Sequence, residues 1–374
     1  MKTSSLFLAG LMACIVIGMS TASGQTYRVT DLGIVPDMTD SQSGAINNQG
    51  RATGMGYAES GTCAFFYAKA VIQDAGGVNS RGFGINSSNL VAGDAYFGQN
   101  ILNPSHAALF RGSEETGVVT DLGALPGHLY SRANGINSIG WVVGFSGPER
   151  DSSYSRAFVW SKPTGMIDMG TLGGPYAQAY AINDAGWVTG TSMTMAMTGG
   201  THAFMYQPLV TTDGFQKPMQ DLGSLIGLSG TSYGMAINNS NHVAGYSTIN
   251  LVDNRVHGFL YDGENMIDLG ALDRNPLYGD TSVALAVNNS DEVVGYSHIA
   301  AGKNQPIRQA AFIWIPQRNI VVAHMKNLND MIGSASQDYW LYSATGINDK
   351  GQIVASAYDM NGIGRALLLT PREP

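Results

Sequence analysis

The sequence predicts an all-β fold, a seven-bladed β-propeller of four-stranded blades, on three observations. Of 374 residues, 48 are glycine and 13% are charged, which is poor material for long surface helices. Short segments rich in Val, Ile, Tyr, Phe and Trp are bounded by Gly, Asn, Asp and Ser, as strands joined by turns are. A short motif containing Ile-Asn recurs about every fifty residues. A chain longer than about 300 residues does not build a single hydrophobic core, so its core is divided among several structural units. A repeat of about fifty residues provides such units.

The N-terminal segment has the features of a secretory signal. Lys2 precedes an apolar run over residues 6–19, too short for a convincing membrane span, and "STASGQ" follows. We therefore predict a signal peptide over 1–24, cleaved near Gly24, and one propeller domain over 25–374. An alternative makes Cys14 in "LMAC" a lipidation site, but the apolar run continues beyond it through Ile17. The expected location is extracellular or periplasmic.

Composition narrows the classes of partner and cofactor. Removal of the signal leaves Cys63 as the only cysteine, which excludes an internal disulfide and a zinc site built from thiolates. The net charge is −8 and no Lys or Arg run is present, so nucleic acid is not an expected partner. No later apolar run is long enough for a transmembrane segment in the mature chain. No cofactor or metal is expected.

The repeated motif defines seven units. Its first asparagines are Asn47, Asn86, Asn137, Asn183, Asn238, Asn288 and Asn348, spaced by 39, 51, 46, 55, 50 and 60 residues. A period near fifty suits a four-stranded blade and is too long for one coil of a β-solenoid. Each unit shows four strand-like segments in a fixed order: one ending in "IN", one such as "HVAGYS", one such as "HGFLY" and one ending "IDLG".

The turn after "IN" explains why the motif recurs. Three residues beyond the first asparagine stand Gly50, Asn89, Gly140, Gly186, Asn241, Asp291 and Gly351. These types tolerate a left-handed backbone, as a hairpin with a type I turn and a following bulge requires. The residues two and four before the asparagine are all Gly, Ala or Ser, and the residue between is Ile or Val287. Because side chains alternate along a strand, we predict that the small residues share one face and the Ile residues the other. The small face would then pack against the Ile of the next sheet, as expected of the innermost strand of a blade.

A second repeated pair indicates how the ring closes. The third strand opens with His106, Arg156, His202, His257 or Arg365, and the fourth ends with Asp121, Asp168, Asp221 or Asp268. Counting inward to the turn "DGEN" places His257 opposite Asp268, which predicts a cross-strand ion pair or hydrogen bond. Arg365 has no later aspartate, and the unused partner is Asp31 in "YRVTDLG". We therefore predict that the N-terminal strand completes the last blade.

The elements "INxxGxVVG", "HAF-x-W/Y" and "DLG-x-L", as in "HAFMY" from His202, resemble the HAF repeat family of bacterial extracellular proteins. The resemblance covers nearly the whole mature chain, and the first and last units depart most, with "CAFFY" and "RALLL". It implies an exported repeat protein. No general activity goes with that family, so it implies no catalytic residues.

Residues that recur at one repeat position are best explained by structure. His106, His202 and His257 occupy one such position and are replaced by Arg, Cys or Ala elsewhere, so we interpret them as pairing residues rather than metal ligands. No calcium loop, zinc motif, GxSxG elbow or phosphate loop is present.

Function is expected where the repeat breaks, in the second-to-third-strand and fourth-to-first connections, which share one face of a propeller. The ligand-binding candidates there are Tyr96, His128, Tyr130, Arg132, Tyr154, Tyr176, Arg274, Tyr278, Asp280, His298, Tyr339 and Trp340. Tyr and Trp mixed with Arg and Asp suit stacking against sugar rings and hydrogen bonding to hydroxyls or carboxylates.

Three functions fit these residues. The favoured one is a non-catalytic exported protein that binds a glycan or a protein on the loop face. An enzymatic alternative is a polysaccharide lyase or glycoside hydrolase, with His128, Tyr130 and Arg132, or Asp280 and Asp338, as acid and base. A third makes the protein a structural component of an extracellular matrix.

Overall fold

The computed structural model describes residues 26–97, 104–111, 119–149, 153–195, 200–208, 218–274, 279–300, 307–317 and 323–372. The predicted signal segment, including Cys14, and the candidate Tyr278 lie outside these ranges. Within them, no helix has the length and apolar character needed to cross a membrane.

Seven antiparallel sheets of four strands form a ring, which confirms the predicted architecture, and we number the blades 1 to 7. Blade 1 contains β2 (Asp40–Ile46), β3 (Ala52–Ala58), β4 (Gly61–Ala68) and β5 (Val71–Val78). Blade 2 contains β6 (Ser80–Ile85), β7 (Leu90–Tyr96), β8 (Ser105–Arg111) and β9 (Val119–Asp121). Blade 3 contains β10 (Tyr130–Ile136), β11 (Val142–Gly147), β12 (Arg156–Ser161) and β13 (Gly165–Asp168). Blade 4 contains β14 (Gly173–Ile182), β15 (Val188–Thr194), β16 (Thr201–Tyr206) and β17 (Gln220–Asp221).

The remaining blades follow the same order until the last. Blade 5 contains β18 (Ser232–Ile237), β19 (Val243–Thr248), β20 (Val256–Tyr261) and β21 (Met266–Asp268). Blade 6 contains β22 (Ser282–Val287), β23 (Val293–Ala300), β24 (Ile307–Ile315) and β25 (His324–Asn327). Blade 7 contains β26 (Tyr339–Ile347), β27 (Ile353–Asp359), β28 (Gly364–Pro371) and β1 (Tyr27–Asp31). Three short 3₁₀ helices are described, at Gly227–Ser229, Leu328–Asp330 and Gly333–Gln337.

The core is divided among the blade interfaces. The first strand of every blade packs against the second strand of the preceding blade, and β2 packs in the same way on β27. Seven clusters of buried apolar side chains result, one for each interface. Phe65 and Phe259, for example, are fully buried in two of them. Burial of apolar surface between blades is thus the main force that holds the ring together.

The turns after "IN" have the predicted geometry. In blade 1 the Gly50 N–H donates to Asn47 O at 3.0 Å, and the Asn47 N–H donates to Arg51 O at 2.9 Å. The left-handed residue falls at the predicted position in every unit, at Gly50, Asn89, Gly140, Gly186, Asn241, Asp291 and Gly351. The prediction of a type I turn with a following bulge is confirmed.

The small residues of the first strand do not share one face, and that part of the prediction is wrong. Each first strand carries a β-bulge between the two small positions, as between Gly82 and Gly84 in β6. A Cβ at Gly82 would meet Thr53 in the preceding blade, whereas one at Gly84 would meet Gly135 Cα, 3.3 Å away in the following blade. The extra residue interrupts the period-two alternation, so the two positions face opposite neighbours, and neither meets an Ile side chain.

The bulge also explains the glycine of "VVG". A Cβ on this second-strand residue would overlap a main-chain oxygen of the bulged strand, as at Gly245 with Tyr233 O. The glycines at this position are Gly54, Gly93, Gly144, Gly190, Gly245 and Gly295. Blade 7 has Ala355 instead, and its first strand carries a second bulge between Leu341 and Ser343.

The buried asparagines connect the blades as well as their own turns. Asn183 Nδ2 donates to Asn238 O in the next blade at 2.9 Å, while its Oδ1 accepts from the N–H groups of Ala185 and Trp187. The same amide-to-carbonyl bond joins each pair of neighbouring blades, closing a ring of seven bonds of 2.9 to 3.2 Å. We call this the asparagine ring.

A buried serine forms a second link between blades. Ser232 Oγ, on the first strand of blade 5, accepts from the N–H of Ala203 in blade 4 at 2.7 Å. Five units carry serine at this position, six residues before the first asparagine: Ser41, Ser80, Ser131, Ser232 and Ser282. Each accepts one such hydrogen bond from the preceding blade.

The ring closes with β1 beside β28, as predicted, and Asp31 Oδ2 lies 3.8 Å from Arg365 Nη1. The predicted pairs also form, with His257 Nδ1 2.8 Å from Asp268 Oδ1. Their register differs from the prediction, because Asp268 stands opposite Phe259 rather than His257. Asp262–Asn265 forms the turn, centred one residue later than we counted, so the pair is diagonal.

Candidate functional site

The two ends of the central axis differ in chemistry. At the turn end, the asparagine ring and the following residues, among them Asp184 and Asp349, line a polar cavity of about 240 Å³. These groups bind one another: the Asn289 N–H and Nδ2 both donate to the Asp349 carboxylate, at 2.9 Å. Their hydrogen bonds are therefore largely used between blades, and the end that carries the connections is the more promising binding face.

Towards the connections, polar and aromatic side chains of the first and second strands, most of them half-buried, form a belt around the axis. In blades 7, 1, 2 and 3 its members are Tyr342, Tyr358, Tyr57, Arg81, Phe83, Asp94, Arg132 and Phe145, which we call the charged arc. In blades 4, 5 and 6 they are Tyr176, Tyr180, Tyr233, Tyr246 and Tyr296, which we call the tyrosine arc.

The charged arc is built on one buried carboxylate. Asp94 is 3% exposed and accepts from Arg81 Nε at 2.9 Å and from Arg81 Nη2. Arg132 Nε lies 3.8 Å from the same carboxylate, and its guanidinium carbon lies 4.7 Å from the centre of the Phe83 ring. Two cations thus meet one carboxylate among aromatic rings, which suit guanidinium groups as neighbours.

The tyrosine arc brings phenol groups from three blades close to one another. Tyr233 and Tyr246 stack with ring centres 4.7 Å apart and planes at 11°. Burial, followed by the neighbouring Tyr233, raises the pKa of Tyr176 to about 12. Burial and then Tyr233, Tyr296 and Tyr176 raise the pKa of Tyr246 in the same way. The phenols therefore stay protonated at neutral pH, presenting flat apolar rings that carry hydroxyl groups.

Two cavities of similar size lie away from the axis, where neighbouring blades meet. One, of about 550 Å³, includes His257, Arg274 and Asp280 between blades 5 and 6. The other, of about 540 Å³, includes His128, Tyr154, Arg156 and Asp168 between blades 3 and 4. Each contains the repeated cation–aspartate pair of its blade.

The structure separates the predicted site residues into groups. Arg132 and Tyr176 belong to the belt, and Tyr130 lies beside Arg132 around a small cavity that also includes Arg81 and Asp94. His128 and Tyr154 line the cavity between blades 3 and 4, while Arg274 and Asp280 line the one between blades 5 and 6.

Other candidates form contacts within a blade or with the neighbouring blade. Tyr339 Oη donates to Asp31 Oδ2 at 3.2 Å, and Trp340 Nε1 donates to Gln309 O at 2.9 Å. Tyr96 ends β7, next to the charged arc. His298 lies 6.2 Å from the Tyr296 ring, and burial lowers its pKa.

The catalytic groupings suggested by the sequence are not assembled in one place. His128 lines a different cavity from Tyr130 and Arg132. Asp280 accepts from His257 and Arg255, whereas Asp338 ends the 3₁₀ helix Gly333–Gln337 in blade 7.

Most of the belt was missed from the sequence, although a signal was present. The residue five before the first asparagine varies in the first six units, as Gln42, Arg81, Arg132, Gln178, Tyr233 and Val283. The positions on either side, four and six before, hold mainly Gly, Ala and Ser. A variable residue inside a constrained strand marks the place where side chains face neither a neighbouring main chain nor a packed core.

Comparison with known proteins gives a family. A model for a protein of unknown function, DUF3466, matches residues 128–272 and 277–362. The chain belongs to this family. No curated protein matches the sequence significantly.

Two solved structures are similar to this DUF3466 protein at low sequence identity. The β-propeller domain of the Trilobed protease from Pyrococcus furiosus, described as having an open velcro topology, is 8% identical, with a TM-score of 0.51 over 90% of this chain and 96% of that one. A puromycin-hydrolyzing peptidase from Mycobacterium tuberculosis is 12% identical, with a TM-score of 0.45 over 82% of this chain and 48% of that one. In this DUF3466 protein, β1 and β28 pair across the ring closure.

Proposed function

We propose that this DUF3466 protein is an exported, non-catalytic binding protein of the HAF repeat type, whose ligand is a glycan held on the loop face. The observation that carries the proposal is the belt, which holds five tyrosines on blades 4 to 6 and the charged arc on blades 7 and 1 to 3. The stacked pair Tyr233 and Tyr246 offers a flat aromatic surface with hydroxyl groups at its edge. Sugar rings fit such a surface, with their C–H faces on the rings and their hydroxyls bonded to the phenols.

The charged arc favours a glycan that carries acidic groups. Arg81 and Arg132 place two guanidinium groups in this arc, beside the carboxylate of Asp94. Because guanidinium groups bind carboxylates and sulfates through paired hydrogen bonds, an acidic unit of the glycan would find its counter-charge at Arg132.

Binding is favoured over catalysis because the residues suited to acid–base chemistry are engaged elsewhere. His128 Nδ1 lies 3.1 Å from Ser146 Oγ, and His128 lines a different cavity from Tyr130 and Arg132. A lyase requires its base, its acid and its cation around one substrate carbon.

The test is native affinity electrophoresis through gels that contain one polysaccharide each, acidic or neutral. We expect retardation of the wild-type protein by an acidic polymer and its loss in Tyr246→Ala. Tyr246→Phe, which keeps the ring, would retain most of the retardation. Tyr154→Ala is the matched control, because Tyr154 is 64% exposed but lies outside the belt, so this variant should migrate as wild type does.

Other outcomes separate the alternatives. Depolymerisation of the gel around the band would establish the enzymatic function instead. Unchanged mobility in every gel would refute glycan binding and direct the search to protein ligands. Retardation lost equally in Tyr154→Ala and Tyr246→Ala would show that the belt is not the site.

A further inference from the structure

The cavity between blades 5 and 6 contains an ionic network that the repeat does not require. Its polar and aromatic lining consists of His257, Asp268, Arg274, Asp280, Trp314 and His324. His257 Nδ1 lies 2.8 Å from Asp268, as in other blades, but its Nε2 also lies 3.0 Å from Asp280 Oδ1. Both ring nitrogens therefore face carboxylates, which is the arrangement of a doubly protonated imidazolium.

Asp280 is the residue that distinguishes this interface. It stands eight residues before the first asparagine of its unit, in the connection that leads into blade 6. The equivalent residues are Thr39, Val78, Leu129, Pro175, Gly230 and Trp340, so no other unit has a carboxylate there. Arg255 Nη1 donates to the other oxygen of Asp280 at 2.6 Å, which fixes the carboxylate at the cavity wall.

Arg274 supplies a cation that this network does not use. Burial opposes ionisation of Asp268, but His257, the Gly270 N–H and more weakly Arg274 together lower the pKa of Asp268. Arg274 is thus near Asp268, yet it closes no salt bridge within the part of the chain that the structure describes. Its guanidinium nitrogen lies over the Gly270 turn, at the same cavity that Trp314 and His324 line.

The cavity between blades 3 and 4 provides an internal comparison. It is nearly equal in volume, and its arginine, Arg156, donates from Nε to Asp168 at 3.1 Å. The arginine of that cavity is therefore neutralised by its own blade, whereas the cavity between blades 5 and 6 pairs its aspartate with histidine and keeps an additional arginine.

We propose that the cavity between blades 5 and 6 is a second ligand site, separate from the belt, for an acidic sugar unit or a hydroxy acid of similar size. The ligand's carboxylate binds Arg274. Its hydroxyls donate to the outer lone pairs of Asp268 and Asp280, and its apolar face lies towards Trp314. A volume of about 550 Å³ falls within the range of sites for small molecules.

The experiment is titration calorimetry of the full chain with D-glucuronate, and with D-glucose as the uncharged probe. We expect heat of binding with glucuronate and binding at least about tenfold weaker with glucose, because one charge-assisted hydrogen-bonding group is lost. Arg274→Gln should weaken glucuronate binding by about tenfold or more. Arg156→Gln, the matched change in the other cavity, should leave it unaltered.

Three results would overturn the proposal: equal affinity for the two probes, loss of binding in Arg156→Gln but not in Arg274→Gln, or no heat with glucuronate. Tyr246→Ala separates this site from the belt, because it should abolish retardation by polysaccharide while glucuronate binding persists. Loss of glucuronate binding in Tyr246→Ala would assign the probe to the belt and refute a second site.

Discussion

Asn348 in blade 7 donates a hydrogen bond from its side-chain amide to the main-chain oxygen of Asn47 in blade 1, at 3.0 Å. This bond joins the last unit to the first with the geometry found at the other six interfaces. One side chain therefore performs two tasks, since Asn348 Oδ1 also accepts from the N–H groups of Lys350 and Gln352 within its own turn. The asparagine side chain therefore stabilises the contact with the neighbouring blade as well as its own turn.

Replacing Asn348 with Asp separates the two tasks. Aspartate still accepts the N–H groups of the turn, but it cannot donate to Asn47 O and sets a negative charge beside that oxygen. We expect a loss of about 1 to 3 kcal/mol in the free energy of unfolding, measured by denaturant titration. Asn361→Asp makes the same change at an exposed residue and should have little effect. Equal losses in the two variants would contradict a role for the asparagine ring.

The second-strand glycines provide a steric test. A Cβ at Gly245 would overlap Tyr233 O, so we expect Gly245→Ala to cost about 3 kcal/mol or more, or to prevent folding. Gly84→Ala is the control, because its Cβ would lie 3.2 Å from the nearest atom and other units already have alanine there. A comparison of soluble yield and thermal midpoint distinguishes them. Normal stability of Gly245→Ala would show that the bulge relaxes.

The N-terminal strand β1 contributes one large side chain to the hydrophobic core. Tyr27 in β1 is 0% exposed and belongs to the core cluster between blades 6 and 7. We expect Tyr27→Ala to lower the free energy of unfolding by about 3 to 5 kcal/mol, as for other buried aromatic residues. Arg28→Ala, at the adjacent exposed position, should change it little. If both variants unfold as the wild type does, β1 is dispensable for closure.

Histidine ionisation should make stability depend on pH in opposite directions at two sites. Burial opposes protonation of His257, but Asp268 and Asp280 outweigh it and raise its pKa above 6.5. Its contribution is therefore full below pH 6.5 and is lost as pH rises through the raised pKa. Burial lowers the pKa of His298, so the unfolded chain takes up that proton first and the contribution of His298 falls as pH drops below 6.5.

Denaturant titrations between about pH 5 and 9 measure both effects. The stability difference between wild type and His257→Gln should shrink as pH rises, whereas His298→Gln should remove a loss of stability that the wild type shows on acidification. If the stability difference between wild type and His257→Gln is the same at every pH, His257 is not a doubly protonated imidazolium in the folded protein.

The scaffold was predictable because its constraints repeat. Seven copies of one turn made the left-handed position visible, and Asp31 identified the closing strand because Arg365 lacked a later partner. The face of Gly82 could not be predicted, because a bulge inserts a residue without altering the sequence pattern around it. The serine at Ser232 and its equivalents repeats in five units, and we overlooked it because serine is common in turns.

The belt was harder to predict for the opposite reason. The sequence indicates Arg132 and Tyr176 because they stand where the connections depart from the repeat. Their partners Asp94 and Tyr246 lie inside regular strands and give no such signal. Residues that meet from different blades have no fixed spacing in the chain, so only the ring geometry brings them together. His128 and Tyr130 line different cavities, because sequence proximity does not determine which cavity a side chain lines.

The position of β1 also sets an order of events during synthesis. β1 leaves the ribosome before any blade exists, yet its partner β28 is the last strand described, so its hydrogen-bonding edge stays unpaired while the other six blades are made. A chain that stops early lacks β28 altogether and keeps that edge exposed to chaperones and proteases. The closing pair of strands can therefore form only after β28 has been synthesised.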